Sequence, residues 1–301
     1  MKRINITFKN EEDKIKFVNE CEIDFENRLI QATQKIVKSD VNCVLLSGPT
    51  CSGKTTTAKK LIDDFTDIGK KVVVISIDDF FKERDEGRVV KNDKKIDYDS
   101  VDVLDLDLLS KCIKNAYVGN TITVPTFDFL TQKRGEEKQY YIDKNTVLLF
   151  EGIQAVYPEV TSLFEVEYKG IFINVNEDVL LNGVYFSKDE IRLIRRLVRD
   201  RKFRGASADF TLYLWETVRE NEEKSIYPNT SVCEVQLDSF MCYELFLMKR
   251  YITEVLQEVS SDSPYYVVAR ALLDKFSSLE QINYEYIPKD SLYEEFLGKN
   301  K

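Results

Sequence analysis

One eight-residue run constrains this chain more than any other. Gly48-Pro49-Thr50-Cys51-Ser52-Gly53-Lys54-Thr55 fits G-x-x-x-x-G-K-[ST] at every fixed position. An apolar run before it (Val41, Val44, Leu45, Leu46) reads as a buried parallel strand, and Ala58, Leu61 and Ile62 after it have the spacing of a helix facing a core. Strand, glycine loop and helix in that order form a phosphate-binding loop. Gly48 and Gly53 let the backbone of Thr50, Cys51 and Ser52 curl so that successive N–H groups face one anion. The helix N-terminus at Thr55 and Thr56 adds its partial positive charge. Lys54 is expected to reach the terminal phosphates, and the Thr55 hydroxyl to bind Mg²⁺. By accident the pattern arises in on the order of 1 in 100 chains of this length. The flanking strand and helix make accident a poorer account, so this is read as a nucleotide-phosphate site.

Composition narrows the chemistry further. With 43 basic and 52 acidic residues, a net charge of -9 makes the chain a poor general nucleic-acid binder. Its anionic ligand must be held by local positive charge. Six scattered cysteines without metal-ligand spacing, no signal peptide and no long apolar span suggest reduced thiols, a cytoplasmic setting and no membrane partner. There is no histidine, so acid–base chemistry falls to carboxylates.

Along the chain, residues 1–40 read as a short strand (Ile4 to Phe8) and an amphipathic helix, an N-terminal extension without chemistry of its own. Lys71 to Ile77 is a second buried strand, running into Asp78-Asp79-Phe80-Phe81. Two carboxylates at the carboxyl end of a parallel strand stand where open α/β sheets bind ligands. One can act as a base or bind Mg²⁺; an N-cap is the alternative. Lys82 to Lys95 reads as a charged surface loop, followed by Asp97-Tyr98-Asp99-Ser100 and a helix from about Asp102 to Tyr117. Thr121 to Ile142 has the pattern of a hairpin insertion carrying Phe127 and Phe129. Its rings could be core, or could suit a flat heterocycle.

Thr146 to Phe150 is another buried strand, ended by Glu151, an acid placed to organise Mg²⁺. Gly170 to Val175 is a fourth strand. Glu190 to Asp200 reads as a helix with Arg192, Arg195, Arg196 and Arg199 on one face, continued by Arg201, Lys202 and Arg204. That face could be solvated, though phosphate binding is the favoured reading. Val232 to Leu237 is a candidate last strand. Beyond it come helices over Phe240 to Val259 and Tyr265 to Phe276, a short strand near Ile282 to Ile287 and a closing helix.

The motifs GPTCSGKTT, SIDDFF, DYDS, VPTFDF, LLFEGI and RRLVRDRKFRG occur in this order. Together they resemble the uridine kinase and phosphoribulokinase group of phosphate-loop kinases, nearest to uridine–cytidine kinases, over roughly Val41 to Leu237. The resemblance implies that Lys54 and Thr55 hold ATP and Mg²⁺, and that Asp78 is the catalytic carboxylate facing a sugar 5′-hydroxyl. It implies that Asp99 and Arg196 grip the ribose hydroxyls and that Tyr98, Phe127 and Phe129 line the base pocket. Glu151 then organises Mg²⁺, and Arg199 and Arg204 are lid cations that close on the phosphates. Pyrimidine-specific relatives place a tyrosine and a histidine near the base; Phe127 and Gln132 stand at those positions.

The expected architecture is a doubly wound, mostly parallel α/β sheet with helices on both faces, a β-hairpin insertion and a helical C-terminal extension. It divides into an extension over 1–40 and a phosphate-loop kinase domain over 41–301, with its core at about 41–237. The expected activity is ATP-dependent phosphorylation of a ribonucleoside, most simply uridine or cytidine. Kinases of other small hydroxyl acceptors, including pantothenate, and a non-catalytic ATP-binding regulator are the alternatives. A GTPase switch is disfavoured because no Asn-Lys-x-Asp sequence occurs. Self-association is left open.

Overall fold

The computed structural model of the chain describes residues 1–39, 41–83, 99–118, 121–128 and 131–298. Tyr98, Phe129 and most of the expected Lys82–Lys95 loop fall outside them.

The chain opens with β1 (Lys2–Ile4) and a long helix, α1 (Glu11–Val37). Then come β2 (Cys43–Ser47), α2 (Lys54–Asp67) and β3 (Lys71–Ser76). After α3 (Leu106–Val118) lie the small strands β4 (Thr121–Val124), β5 (Phe127–Asp128), β6 (Lys133–Arg134) and β7 (Lys138–Tyr141). Next are β8 (Thr146–Glu151), the short α4 (Pro158–Thr161) and β9 (Lys169–Asn174). A ribbon of β10 (Val179–Leu181) and β11 (Val184–Phe186) leads into α5 (Lys188–Arg204) and α6 (Ala208–Asn221). The chain closes with β12 (Val235–Asp238), α7 (Glu244–Gln257), α8 (Tyr266–Ser277) and α9 (Glu294–Leu297).

Five strands form one sheet in the order β12-β9-β2-β8-β3, and every pairing in it is parallel. Alternation along the strands divides the core into two layers. Val44 and Leu46 of β2, with Val147 and Leu149 of β8, pack under α1, α2, α5, α7 and α8. Cys43 and Leu45, with Leu148 and Phe150, pack against α3, the hairpin and the segment around Val160. Helices therefore cover both faces. From β2 the chain first crosses to one side (β3, then β8) and later to the other (β9, then β12). The carboxyl end of β2 is thus a topological switch point, where such sheets open a crevice. The hairpin insertion is present: β4 pairs β7 antiparallel, with β5 and β6 paired inside it. No helix among the described residues is long and apolar enough to cross a membrane.

Several expected boundaries move, each for a local reason. β1 lies at Lys2–Ile4 rather than Ile4–Phe8, paired with β10 in a three-stranded sheet completed by β11. Beyond Ile4 the Asn182 side chain takes over the pairing, accepting from Ile6 N–H and donating to Ile6 C=O, both at 2.8 Å. α3 starts at Leu106, where Asp105 accepts from Leu108 N–H as a cap (3.0 Å). α7 starts at Glu244 rather than Phe240, after a turn in which Phe240 and Met241 donate their N–H groups to Asp238 Oδ1 and Tyr293 Oη. The strand expected near Ile282–Ile287 is instead irregular chain with one 3₁₀ turn, Tyr284–Tyr286.

Candidate active site

The glycine loop sits at the switch point, and its shape follows from close packing. A Cβ on Gly48 would lie 2.1 Å from the Ile173 carbonyl oxygen, so only glycine lets the loop cross β9 there. Cys51 and Gly53 take left-handed φ angles of 58° and 94°. For Cys51 that conformation costs energy and must be held from outside. The holding groups are two arginines of α5: Arg195 Nη1 donates to Cys51 C=O at 3.1 Å and Arg192 Nη1 to Thr50 C=O at 3.4 Å. Ser52 is buried in the turn, its N–H on Pro49 C=O at 3.2 Å. Lys54 folds back to donate to the loop carbonyls of Gly48 (2.7 Å) and Pro49 (3.0 Å). Thr55 is exposed at the head of α2.

Two acids, Asp78 and Glu151, lie beside Lys54, with Asp79 following Asp78 in the chain. Asp78 and Asp79 lie in a 3₁₀ turn, Ile77–Phe80, that directly continues β3. Glu151 ends β8, paired in register with Ser76 on one side and Leu46 on the other. Ser76 Oγ donates to Glu151 at 2.8 Å. Burial pushes Asp78 up to about 7, with Glu151, Asp99 and Asp79 adding to the shift and Lys54 opposing it. Glu151 is raised by burial too, against the Ser76 hydrogen bond and the Lys54 charge. Asp79 plays a different part from its neighbour: it accepts from Phe127 N–H at 3.1 Å and so anchors the hairpin.

That anchor places the hairpin over the acids. Phe127 packs against Phe81 with ring centroids 5.6 Å apart. Both line a cavity of about 160 Å³ with Lys82, Glu83, Asp102, Val103 and Gln132. Gln132 holds a left-handed φ of 58° at the hairpin turn. Arg134 ties the hairpin to the sheet's helical layer through Asp105 (2.7 Å).

The arginines of α5 divide into two groups. Arg192 and Arg195 are fully buried and paired with buried carboxylates, Arg192 with Glu222 (2.5 Å) and Arg195 with Glu244 (2.5 Å). A phosphate-binding role for the whole basic face is therefore corrected: these two are scaffold that grips the loop from beneath. Arg196, Arg199 and Arg204 instead share one buried carboxylate, Asp200, at 3.3, 2.7 and 3.4 Å. Three cations on one anion leave positive charge in excess. Burial opposes the charge on Arg199, but Cys51, Asp200 and Glu295 outweigh it and raise its pKa, which places this guanidinium beside the loop.

The phosphoribulokinase / uridine kinase family model matches residues 44–246. The chain belongs to this family. Similar curated proteins include a uridine kinase of Saccharomyces cerevisiae, 30% identical over 187 residues, which are 61% of this chain and 34% of that protein. A uridine-cytidine kinase C of Dictyostelium discoideum is 26% identical over 251 residues, 82% of this chain and 50% of that one. The chain thus spans between a third and a half of the length of these relatives. Among solved structures, a possible uridine kinase from Bacillus stearothermophilus aligns with a TM-score of 0.49 at 17% identity, covering 71% of this chain and 100% of that one. That overlap is too loose to add to what the sheet itself shows.

The family match ends at residue 246, before α9. α9 follows α8 back to the glycine loop, and Glu295 accepts from both Thr56 N–H and Thr56 Oγ1 at 3.2 Å. Nothing in the residue pattern near Glu295 marks it; only the path of the chain brings it there. Asp200 and the two buried arginine partners were equally hidden, because i, i+4 spacing does not distinguish a solvated basic face from one wedged between layers.

Proposed function

We propose that the protein transfers the γ-phosphoryl group of ATP to the 5′-hydroxyl of a ribonucleoside, with uridine and cytidine the preferred acceptors. The convergence of Lys54, Asp78 and Glu151 at the carboxyl ends of β2, β3 and β8 carries this reading. The backbone of Gly48 to Lys54 and the head of α2 (Thr55, Thr56) are the phosphate cradle. They fit an anion: a carboxylate already takes the Thr56 N–H and hydroxyl.

Mg²⁺ is commonly held by one or two carboxylates together with substrate phosphates, and the Glu151 carboxylate with the Thr55 hydroxyl is a donor set of that kind. When bound, the ion neutralises charge building on the phosphates. Lys54 exchanges its loop carbonyls for phosphate oxygens. Arg199 and Arg204, which share Asp200 with Arg196 and leave positive charge in excess of it, are the lid cations. Asp78 accepts the 5′-hydroxyl proton as the new O–P bond forms and the β–γ bridging bond breaks. Its raised pKa near 7 is suited to a general base at neutral pH.

On the acceptor side, Asp99 lies within electrostatic reach of Asp78. With Arg196 it is assigned to the ribose 2′- and 3′-hydroxyls. Phe127 and Gln132, which line the cavity of about 160 Å³, are assigned to the base together with Tyr98 and Phe129. Gln132 can both donate and accept, so either pyrimidine edge can be served. The test is a phosphorylation screen of nucleosides and other small alcohols with Mg-ATP. Uridine and cytidine should give 5′-monophosphates. Turnover of a non-nucleoside alcohol alone would reassign the acceptor, and ATP binding without any turnover would leave a regulator.

A further inference from the structure

The C-terminal segment is built into the nucleotide site. Leu292 is buried against the loop, so close that a Cβ on Gly53 would stand 2.5 Å from Leu292 Cδ1. Tyr293 Oη donates to Glu244 at 2.8 Å, and the Arg195 guanidinium lies 5.7 and 5.4 Å from the ring centres of Tyr293 and Phe296. Lys202 Nζ bonds the Leu297 carbonyl, and Lys60 pairs with Asp290 at 2.8 Å. These contacts fix the position from which Glu295 reaches Thr56, the third residue of α2. Its Oε2 takes two donors of Thr56 at once. Glu295 is also close enough to Glu151 and Arg199 to act on their charges.

Backbone N–H groups at the head of a phosphate-loop helix are where nucleotide phosphates are cradled. We infer that Glu295 is an affinity-setting residue: its carboxylate occupies a phosphate subsite of the nucleotide and must be displaced for phosphate to bind. The inference rests on the nucleotide-site reading above and adds an internal competitor to it. A carboxylate held at this point costs incoming phosphate twice, by taking the Thr56 donors and by like-charge repulsion. Nucleotide affinity is then set in part by α9, an element beyond the family match.

The experiment is calorimetric binding of Mg-ADP and, separately, of inorganic tripolyphosphate to the full chain and three variants. Glu295→Gln keeps a hydrogen-bonding side chain and removes the charge; it should bind both probes about 3- to 30-fold more tightly, the range of a charge acting at a helix N-terminus. Glu295→Asp keeps the charge but draws it back by one methylene, and should fall between parent and Glu295→Gln. Glu285→Gln removes an exposed charge on the same segment and should match the parent. Equal affinity in parent and Glu295→Gln, or weaker binding in the variant, overturns the inference while leaving the phosphate site intact. Equal tightening in Glu285→Gln overturns it in favour of a net-charge effect. Binding of neither probe by parent or variants rejects both the inference and the site it rests on.

Discussion

In the proposed reaction the decisive residue is Asp78, because its environment sets when it would act as a base. Its folded value near 7 lies above the unfolded value of about 4. Between these pH values the folded protein holds a proton that the unfolded chain releases. Stability from this group therefore falls as pH rises through the window, while the fraction competent as a base grows. Carboxyl ¹³C NMR should show Asp78 titrating near 7 in the free protein, and Glu151→Gln should move that midpoint down, since Glu151 is its leading charged neighbour. Asp78→Asn is expected to cut turnover by about 10²-fold or more with nucleotide affinity largely kept. Asp79→Asn should instead loosen the hairpin held through Phe127 N–H, raising KM for the acceptor more than it lowers kcat. A larger kcat loss in Asp79→Asn would move the base by one residue. Lys54→Ala removes the proposed counter-ion of the phosphates and should abolish transfer, which a coupled ADP-release assay reads directly.

At the scale of elements, α5 joins the loop to the helical layer. One turn of it sends Arg192 and Arg195 downward to the carbonyls of Thr50 and Cys51, while Arg196 and Arg199 turn to Asp200. The buried Arg195–Glu244 pair sits under the strained Cys51, so breaking it has both a stability cost and a cost to the loop. Glu244→Ala leaves a buried guanidinium without its carboxylate and should destabilise the fold by about 3–5 kcal/mol in urea titration. A loss below about 1 kcal/mol would mean that Ser239, which bonds the same guanidinium at 2.9 Å, suffices alone. Saturating Mg-ADP should recover part of the loss, because in the proposed site nucleotide phosphates rest on the carbonyl-anchored loop.

Across the whole molecule, what was legible in the sequence was local. The glycine loop, the acid pair after β3 and Glu151 at the end of β8 each follow a short apolar run, and that succession alone places them at the carboxyl ends of a parallel sheet's strands. The hairpin was legible from its alternation and charged turn. Contacts between distant segments left no such mark: Glu222 and Glu244 under α5, Asn182 replacing a strand beyond Ile4, and Glu295 on Thr56 depend on how layers stack. In the proposed reading, acceptor choice is also a property of the whole, drawn from the segment around Asp99, the hairpin and α5 together. Loss of a hydroxyl shared by the half-buried Asp99 carboxylate and the buried Arg196 guanidinium costs roughly 1–3 kcal/mol, so uridine should exceed deoxyuridine in kcat/KM by about 5- to 150-fold. The most direct test of the account is transfer of labelled γ-phosphate from Mg-ATP to uridine by the parent protein and by Asp78→Asn, with ATP affinity measured on both. The account predicts uridine 5′-monophosphate from the parent, and from Asp78→Asn a rate lower by about 10²-fold or more at similar ATP affinity. Equal rates from the two proteins, or no labelled nucleotide from a parent that binds ATP, would contradict it.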